Sequence, residues 1–494
     1  MADNKENVHN AQPTNVFAAQ QNLSELTITQ MSDQNILTLS KARHEPPWLQ
    51  DFRVKSFQLF QKLSPELSPL YTKYVDLAGL DFESISLTPS QPSPTQVQDV
   101  TSRLGSDKAI TLFQIESTII QPQVPAALRK EGVIFTDISS AIQQDPDLFK
   151  RYFLEKAILP QEDKLAALNN ALFTSGFYLH VPRGIEVTTP FRQVTILDSP
   201  GRGLFSQNLV VAENRSKFTV LEELYSTKQN LAATRSTYSG LSEVHLREGA
   251  EVTYGSINNL APNINIFTNK KSLGAKDSKI VWSSGFLGGA YTRSRLESVM
   301  NESGASSENV EVVFGTGSQR FDAVSNITHL GPNTSGHAIS KGVVKDKSRS
   351  LFKGMIRIEK DAKNSRAYLA EHGMILSKDA LADAIPGLEI STNEVKATHS
   401  ASVAQINEEE IFYLTSRGLS ENDAKKLIIV GFFEPLVERI PVPEIAKRIR
   451  RIIDLKWSGI YDFASSLTIP ALDDEYYEEG RKTRDIFEGH YKYR

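Results

Sequence analysis

The most informative absence in this sequence of 494 residues is cysteine, which does not occur at all. Without a thiolate, the chain by itself excludes a disulfide framework, a cysteine nucleophile, a zinc finger and an iron-sulfur cluster held by four cysteines. It also contains no run of eighteen apolar residues, and its first residues, Met-Ala-Asp-Asn-Lys-Glu, are polar where a signal peptide would be basic and then apolar. We therefore expect a soluble, cytoplasmic protein.

The short motifs of several enzyme classes are missing as well. The sequence contains no G-x-x-x-x-G-K-[ST] loop for a triphosphate, no H-E-x-x-H zinc motif, no G-x-S-x-G nucleophile turn and no G-x-G-x-x-G after a predicted strand. The net charge is only -4, without a long block of one sign, which gives no reason to expect nucleic acid or a membrane as a partner. We expect a protein that is not an enzyme, so that any ATP-driven step comes from a partner.

What the sequence does contain, between about residues 178 and 404, is a series of short β-type segments separated by corners of small residues. The predicted strands lie at 192–196, 208–212, 217–221, 243–246, 251–254, 279–282, 309–313 and 342–344. The corners contain Gly249-Ala250, Gly274-Ala275, Gly304-Ala305 and Thr334-Ser-Gly336. A corner recurs roughly every twenty to thirty residues with no helical periodicity in between, so each unit must stack on the next. The pattern predicts a parallel β-helix, and a β-sandwich is the alternative that short strands leave open.

Helical patterns flank this core. Residues 1–40 are rich in Asn, Gln, Ser and Asp, and we expect a mobile segment there. Residues 41–175 are predicted to form an N-terminal helical region with a linker at 87–99, residues 176–404 the β-helix core, and residues 405–494 a C-terminal helical region. In the last region, Pro435 is expected to interrupt a helix. Residues 444–457 are expected to form an amphipathic helix with one solvated basic face, made of Lys447, Arg448, Arg450 and Arg451.

The nine histidines are scattered and are not paired at metal-ligand spacing. Four of them fall in the later coils of the predicted β-helix: His329, His337, His372 and His399. Neighbouring strands lie only about 4.8 Å apart, so residues distant in sequence can come close there. A lone histidine in a β-rich region is nevertheless more often a hydrogen-bonded structural residue than a ligand.

From about residue 327 onward, the sequence resembles the SufB/SufD family of iron-sulfur cluster assembly proteins. The matching segments are Thr-His-Leu-Gly-Pro-Asn-Thr at 328–334, Lys-Gly-Val-Val at 341–344, Arg-Ser-Leu-Phe-Lys-Gly at 349–354, Ala-Asp-Ala-Ile-Pro-Gly-Leu-Glu-Ile at 382–390, Val-Lys-Ala-Thr-His-Ser-Ala at 395–401 and Phe-Tyr-Leu-Thr-Ser-Arg-Gly at 412–418. Weaker matches lie at 45–49, 167–173 and 181–184. The resemblance extends over most of the chain beyond residue 40.

This resemblance implies a fold and a set of partners. The fold is a right-handed parallel β-helix flanked by N- and C-terminal helical regions. The partners are a SufB/SufD paralogue or a second copy of the chain, paired through the late coils of the β-helix, and an ABC-type ATPase, SufC, docked on the C-terminal helices. The candidate docking residues are Phe412, Tyr413, Arg417 and Phe432.

The resemblance also implies a site. In the family, the nascent cluster is thought to form between paired subunits, where a SufB cysteine and a SufD histidine contribute. The family histidine falls on His399, and the SufB-type cysteine position falls on or near Glu371. Because iron in clusters prefers thiolate and accepts imidazole more readily than carboxylate, we predict a SufD-like role in which His399 is a ligand for iron or a cluster. Glu371 and His372 are weaker candidates, for which an exposed coil edge is the alternative.

The chain alone is therefore expected to bind no cofactor stably, and iron or a cluster would be held transiently at the subunit interface. Two other functions stay open at this point. A carbohydrate-active β-helix enzyme would need two carboxylates aligned on one face of the solenoid, and the coils show no repeating pair in register. A purely structural solenoid would need no ligand chemistry.

Overall fold

The computed structural model describes residues 26–64, 85–87, 91–104, 108–227, 234–460 and 463–467. Its α-helices are α1 (Asp33–Ala42), α2 (Pro47–Lys62), α3 (Pro94–Leu104), α4 (Ala126–Lys130), α5 (Ile138–Gln144), α6 (Pro146–Phe153), α7 (Lys164–Leu172), α8 (Glu408–Thr415), α9 (Glu421–Val437), α10 (Pro443–Trp457) and α11 (Phe463–Leu467). Among these residues, no helix is long and apolar enough to cross a membrane.

The strands form two long sheets. They are β1 (Ile110–Ile115), β2 (Thr118–Ile120), β3 (Ile134–Asp137), β4 (Phe177–Val181), β5 (Phe191–Ile196), β6 (Gly203–Ala212), β7 (Lys217–Tyr225), β8 (Ser236–Leu246), β9 (Glu251–Asn259), β10 (Ile264–Gly274), β11 (Lys279–Phe286), β12 (Tyr291–Met300), β13 (Ser306–Gly315), β14 (Arg320–His329), β15 (Ser335–Val344), β16 (Arg349–Ile358), β17 (Arg366–Ile375), β18 (Leu381–Ile390) and β19 (Lys396–Gln405). Sheet I has the order β19-β17-β15-β13-β11-β9-β7-β5-β1-β2, and sheet II has the order β18-β16-β14-β12-β10-β8-β6-β4-β3.

Successive strands alternate between the two sheets, and neighbours within a sheet are parallel from β4 to β19. In sheet I, Lys279 pairs with Ser306, Ser306 with Ser335, Ser335 with Arg366, and Arg366 with Lys396. Each coil therefore adds about 30 residues, within the range of solenoid repeats. The predicted parallel β-helix is confirmed, and the β-sandwich alternative is wrong.

Side chains alternate between the interior of the solenoid and its outer faces. Tyr254 of sheet I places its hydroxyl 3.3 Å from Ser242 Oγ of sheet II, which identifies these positions as inward. In the strand registers Tyr254 pairs with Val220, so the next residue, Leu221, faces outward. The outward positions of sheet I also include Val312 and Phe314, and these residues pack on the C-terminal helices. The alternation means that each strand contributes to two separate buried surfaces.

One corner of the solenoid is a stack of residues with positive φ. These are Arg215, Gly249, Asp277, Gly304, Asn333 and Asn364. Each donates its N–H to a corner carbonyl of the next coil, at distances from 2.6 to 3.2 Å. A small buried residue follows each of them: Ser216, Ala250, Ser278, Ala305, Thr334 and Ser365. The predicted Gly249-Ala250 and Gly304-Ala305 corners belong to this stack, while Arg215 and then Asp or Asn residues take the left-handed conformation at the other coils.

Helices cover the outer faces of the early and middle coils. On sheet II, α7 lies against β6, where Asn169 Nδ2 donates to the carbonyl of Ser206 at 2.9 Å. On sheet I, α9 and α10 pack over the outward residues. The approach of α10 is close, because a Cβ atom added to Gly285 would lie 2.9 Å from Ile449. The helices therefore bury the apolar side chains that face outward from the two sheets.

The N-terminal region differs from the sequence prediction in two places. Helix α1 begins at Asp33, within residues 1–40, where we expected a mobile segment, and its Ile36 and Leu39 are buried. Residues 1–25 lie outside the described residues. Helix α3 begins at Pro94, inside the predicted linker at 87–99. A proline is compatible with the first turn of a helix, and the buried Val100 and Leu104 then provide an apolar face.

The C-terminal region also differs in two places. Helix α9 continues through Pro435, since the proline lies in the last turn and removes one backbone hydrogen bond only. Arg448 of α10 is not on a solvated face but buried, where it pairs with Glu223 of β7. Glu223 also accepts from Arg192 Nε at 2.9 Å and Tyr225 Oη at 2.9 Å. This buried ion cluster fixes α10 to the solenoid.

Candidate functional site

Strands β18 and β19 are the edge strands of the two sheets, at the end of the solenoid farthest from the N-terminal region. Most side chains of β19 are exposed and most of those of β18 are at least partly exposed, whereas every residue of β6 and β8 is buried. Three large apolar side chains at this end are about two-fifths exposed: Leu381 (43%), Ile390 (41%) and Val403 (40%). Free strand edges with exposed apolar side chains are prone to pair with another chain.

His399 lies on β19 at this end. It pairs in register with Leu369 of β17, which is an inward position in the apolar interior. Because β19 is the last strand of sheet I, no further coil covers the imidazole, and His399 is exposed. Its ring is therefore accessible to a ligand or to a second chain.

Glu371 lies one coil deeper and also faces inward. It pairs with Ser340 of β15 on one side and with Ala401 of β19 on the other, and it is only 1% exposed. Neither carboxylate oxygen has a partner in hydrogen-bonding geometry, although the backbone N–H of Ile385 favours the ionised form slightly. Burial, with a smaller contribution from the Glu311 carboxyl, raises the pKa of Glu371 to about 8. The carboxyl is therefore mostly neutral near pH 7.

His372 lies beside Glu371 but faces outward, as alternate residues of a strand must. It is half-buried, and its Nδ1 lies 2.7 Å from Ser402 Oγ of the neighbouring strand. Burial, and to a smaller extent Lys341, lowers the pKa of the imidazole, so that the neutral, metal-binding form is favoured. The alternative that positions 371 and 372 form an exposed coil edge does not hold, because one is buried and the other half-buried.

The three predicted ligand residues thus do not converge on one point. Glu371 and His399 share the inward side, one strand apart and two residues along, which corresponds to about 8 Å between Cα atoms. His372 points to the opposite face of the sheet. Within the part of the chain that the structure describes, no group of three or more His, Asp or Glu side chains could hold one metal ion. Donors in addition to these would be needed to complete a coordination sphere.

The predicted docking residues lie on α8 and α9. Phe412 is 74% exposed and Tyr413 is 54% exposed, and the guanidinium carbon of Arg417 lies 4.4 Å from the centre of the Tyr413 ring. Phe432 is half-buried: its carbonyl accepts from Lys341 Nζ at 2.7 Å, and its ring lies against Phe433. Phe412, Tyr413 and Arg417 therefore share an exposed surface, and Phe432 belongs partly to the interior.

Three further exposed apolar residues occur on the same pair of helices and the turn between them: Leu419 (38%), Leu427 (50%) and Val430 (38%). The sequence reasoning missed them. The signal was present, because Leu427-Ile-Ile-Val430 is apolar around the full circumference of α9, although Ile429 alone of these four residues is buried. A helix that is apolar all round needs cover on more than one face. We call Phe412, Tyr413, Leu419, Leu427 and Val430 the α8–α9 surface.

Two protein-family models match the chain. Residues 195–432 match the model described as "SUF system FeS cluster assembly, SufBD core domain", and residues 93–193 match the model described as "SufBD protein N-terminal region". The chain belongs to the SufBD family. The matched core spans the solenoid from the end of β5 to β19 together with α8 and most of α9.

Curated relatives agree with this membership. A protein of Staphylococcus epidermidis named "Iron-sulfur cluster assembly SufBD family protein" is 29% identical over 443 residues, which cover 86% of this chain and 93% of that protein. A protein of Staphylococcus aureus with the same family name is 28% identical over 445 residues, which cover 87% of this chain and 93% of that protein. The likeness to these SufBD proteins therefore extends over most of the chain.

Proposed function

We propose that this chain is a cytoplasmic, non-enzymatic subunit of an iron-sulfur cluster assembly complex. In this proposal, the open end of the solenoid pairs with a SufB/SufD paralogue or with a second copy of the chain, and the α8–α9 surface docks a SufC-type ABC ATPase. The observation that carries it is the open end itself, where two free strand edges, exposed apolar side chains and the accessible imidazole of His399 occur together.

Pairing at the open end is supported by the physical chemistry of edge strands. Unpaired N–H and C=O groups on β18 and β19 can continue both sheets into a second solenoid, and Leu381 and Val403 would lose their exposure to water. The test is size-exclusion chromatography with light scattering of the chain, alone and with a paralogue from the same genome. A substitution Val403→Glu should abolish the larger species, and pairing that survives it would overturn the assignment of this end.

Docking of the ATPase is supported by the exposure of five large, mainly apolar side chains on two adjoining helices and the turn between them. The chain contains no nucleotide-binding loop of its own, so ATP hydrolysis must come from a partner. Phe412→Ser should weaken co-purification with the ATPase. Val403→Ser, at the open end and outside the α8–α9 surface, is the matched control and should leave co-purification unchanged. Equal capture of the ATPase by the parent chain and by Phe412→Ser would contradict the assignment.

For the ligand role we propose His399 first and His372 second, each as one donor to iron or a cluster whose remaining ligands come from the partner subunit. Imidazole is an accepted substitute for thiolate at such sites. The test compares iron and sulfide content of the assembled complex carrying His399→Ala with the content of the complex carrying His337→Ala. His337 is an exposed histidine on β15, and it serves as the control. Unchanged content with His399→Ala in an intact complex would exclude the role.

The carbohydrate-active alternative finds no support in the arrangement of carboxylates. The two carboxyls that stack in one column of late coils, Glu311 and Glu371, face the interior of the solenoid and are each 1% exposed. A polysaccharide could not reach them without unfolding the coils. A purely structural role would leave the open end without a partner, and the pairing experiment distinguishes it.

A further inference from the structure

The two free strand edges at the open end differ in the backbone groups that they present. In a β-strand, the N–H and C=O of one residue point to the same side, and successive residues alternate sides. On β18, the N–H of Leu381 donates to the carbonyl of Ser348 at 3.2 Å. The N–H of Ser391, just past its end, donates to the carbonyl of Ile358 at 2.9 Å, so the odd-numbered residues face β16. The even-numbered residues therefore present their backbone groups at the free edge: Ala382, Ala384, Pro386, Leu388 and Ile390.

Pro386 interrupts the free edge of β18. Proline has no N–H, so the middle one of these five positions cannot donate to an incoming strand. The same strand carries the exposed carboxylates of Asp383 and Glu389. Proline and charged side chains are the means by which natural proteins protect an edge strand against pairing. The open edge of sheet II is therefore protected.

The free edge of β19 lacks both kinds of protection. The N–H of Lys396 donates to the carbonyl of Ser365 at 3.0 Å, so the even-numbered residues of this strand face β17. Its sequence from 397 to 405 contains no proline and no Asp, Glu, Lys or Arg. The residues that present backbone groups at the free edge form an unbroken row: Ala397, His399, Ala401, Val403 and Gln405.

The middle residues of the two edges lie across the solenoid interior from each other. Pro386 pairs in register with Gly354, and Ala401 pairs with Glu371. A Cβ atom added to Gly354 would lie 2.8 Å from Glu371 Oε1, so these two rows face each other. A second chain placed over the middle of β19 would therefore meet Pro386 on the other side. Such a chain can continue sheet I there, but not sheet II.

We propose that β19 pairs antiparallel with β19 of a second copy of this chain, about a two-fold axis at Ala401, and that Pro386 excludes β18 from the pairing. The inference rests on the proposed pairing at the open end, and it names the strand, the register and the partner. This register uses all five edge residues. Ala401 lies opposite its own counterpart in the second copy, and His399 lies opposite Val403 of the second copy.

A second copy fits this edge because the strand is uncharged from 397 to 405. Like charges placed opposite each other on paired strands are destabilising, and self-pairing about Ala401 brings none together. Lys396, the one charged residue of the strand, would lie about 34 Å from its counterpart in the second copy. A two-fold contact of this kind is complete with two chains, so the sheet does not grow further.

The absence of cysteine makes a direct test possible, because a single introduced cysteine is the only thiol in the chain. Ala401→Cys should form a disulfide-linked dimer under mild oxidation, since the Cα atoms of a hydrogen-bonded antiparallel pair are about 5.5 Å apart. Ala397→Cys is the matched control on the same strand, because its two copies would lie about 27 Å apart. The measurement is non-reducing electrophoresis of the full-length chain. Equal crosslinking of the two variants, or none with Ala401→Cys, would overturn the register.

Proline substitutions test which edge pairs. Ala401→Pro removes an N–H that faces away from β17, and it should raise the dissociation constant of the dimer at least about tenfold, measured by light scattering. Ala384→Pro makes the same change at the free edge of β18 and should leave this constant unchanged. Both variants should melt within a few degrees of the parent monomer, because neither loses a hydrogen bond within the chain. An equal effect of the two substitutions on the dimer would show that sheet II takes part.

Failure of this inference can be told apart from failure of the proposed pairing. A dimer that Val403→Glu abolishes but Ala401→Pro leaves intact would retain the open end as the pairing surface and refute the assignment to β19. A chain that remains monomeric but forms a complex with a paralogue would retain the proposed function and exclude a second copy as the partner.

Discussion

The early and late coils of this solenoid share the same backbone repeat but differ in burial and in how their interior charges are compensated. In the early coils, every residue of β8 is buried, and the interior carboxylate of Glu222 is matched by Lys270 and hydrogen-bonded hydroxyls. In the last coils, β19 is largely exposed, and the interior carboxyl of Glu371 has no counter-charge. The early coils of the solenoid therefore provide stability, whereas the last coils leave polar and apolar groups accessible to another molecule.

The largest expected effect lies in the early coils, at the ion cluster that joins α10 to β7. Glu223→Ala would leave the guanidinium groups of Arg192 and Arg448 buried without their carboxylate. We expect a loss of about 3–5 kcal/mol in the free energy of unfolding, measured by urea denaturation. In the last coils, Glu389→Ala removes an exposed pair with Arg357 and should change this free energy by less than about 0.5 kcal/mol. Similar losses in the two variants would contradict the comparison.

A smaller effect is expected where α10 crosses the outer face of sheet I. Gly285→Val would force its side chain against Ile449, and overpacking of this kind costs about 1–3 kcal/mol. Gly431→Ala in α9 is the control, since nothing lies within 4 Å of the added methyl group. Because alanine favours a helix more than glycine does, it should stabilise the chain by up to about 1 kcal/mol. Equal melting temperatures for both variants would show that α10 can move away from the sheet freely.

The two ends should also respond to pH in opposite directions. Burial works to raise the pKa of Glu223, but the guanidinium groups of Arg192 and Arg448 outweigh it and lower the pKa to about 2. Its stabilisation is present above the ordinary value of 4.5 and is lost as the pH falls towards 2. The pKa of Glu371 is raised to about 8, because the folded chain favours the protonated carboxyl. Its contribution to the free energy of unfolding is therefore fully present below pH 4.5 and is lost as the pH rises towards 8.

Glu371→Gln should therefore reduce the loss of stability between pH 4.5 and 8. It should leave the loss of stability below pH 4.5, which we attribute to Glu223, unchanged. The measurement is the urea unfolding midpoint across this range, in a metal-free buffer. An identical slope in the parent and in Glu371→Gln would mean that the carboxyl is compensated by a group that we have not identified.

The smallest expected effect is at the open end. Val403→Ser should change the free energy of unfolding of the isolated chain by no more than about 0.5 kcal/mol, because the side chain is already 40% exposed. The same substitution in the early coils, Val244→Ser, would place a hydroxyl among fully buried apolar residues and should cost several times more. A large loss for Val403→Ser would indicate that the end is packed in the isolated chain.

The general architecture could be predicted from the sequence because corners repeat. The Gly-Ala pairs at 249–250 and 304–305 mark two coils directly, and the strands between them contain β-branched residues. Besides β4, the prediction missed the strands β10, β12, β14, β16, β17, β18 and β19. Their inward positions carry polar or small residues such as Lys270, Ser325 and Gly354, so they lack the apolar pattern of an ordinary strand.

The site was only partly predictable, because its properties depend on the stacking of coils. His399 could be singled out by resemblance, but its exposure follows from β19 being the last strand of its sheet. Glu311, Ser340 and Glu371 are about 30 residues apart and have no local relation, so only the register reveals that they form one column. Likewise, the burial of Arg448 depends on Glu223, more than two hundred residues earlier.

The stack of left-handed corner residues has a consequence for how such a chain can change its length. Each corner N–H reaches the corresponding carbonyl one coil ahead, from Arg215 to Glu248 at the beginning and from Asn364 to Glu394 at the end. A deletion of one residue before a corner would move the following Ser, Ala or Thr into the left-handed position and reverse the inward and outward faces of the next strand. Removal or duplication of one whole coil would preserve every such contact. The whole coil is therefore the unit by which evolution can lengthen or shorten this molecule without disturbing the corner stack.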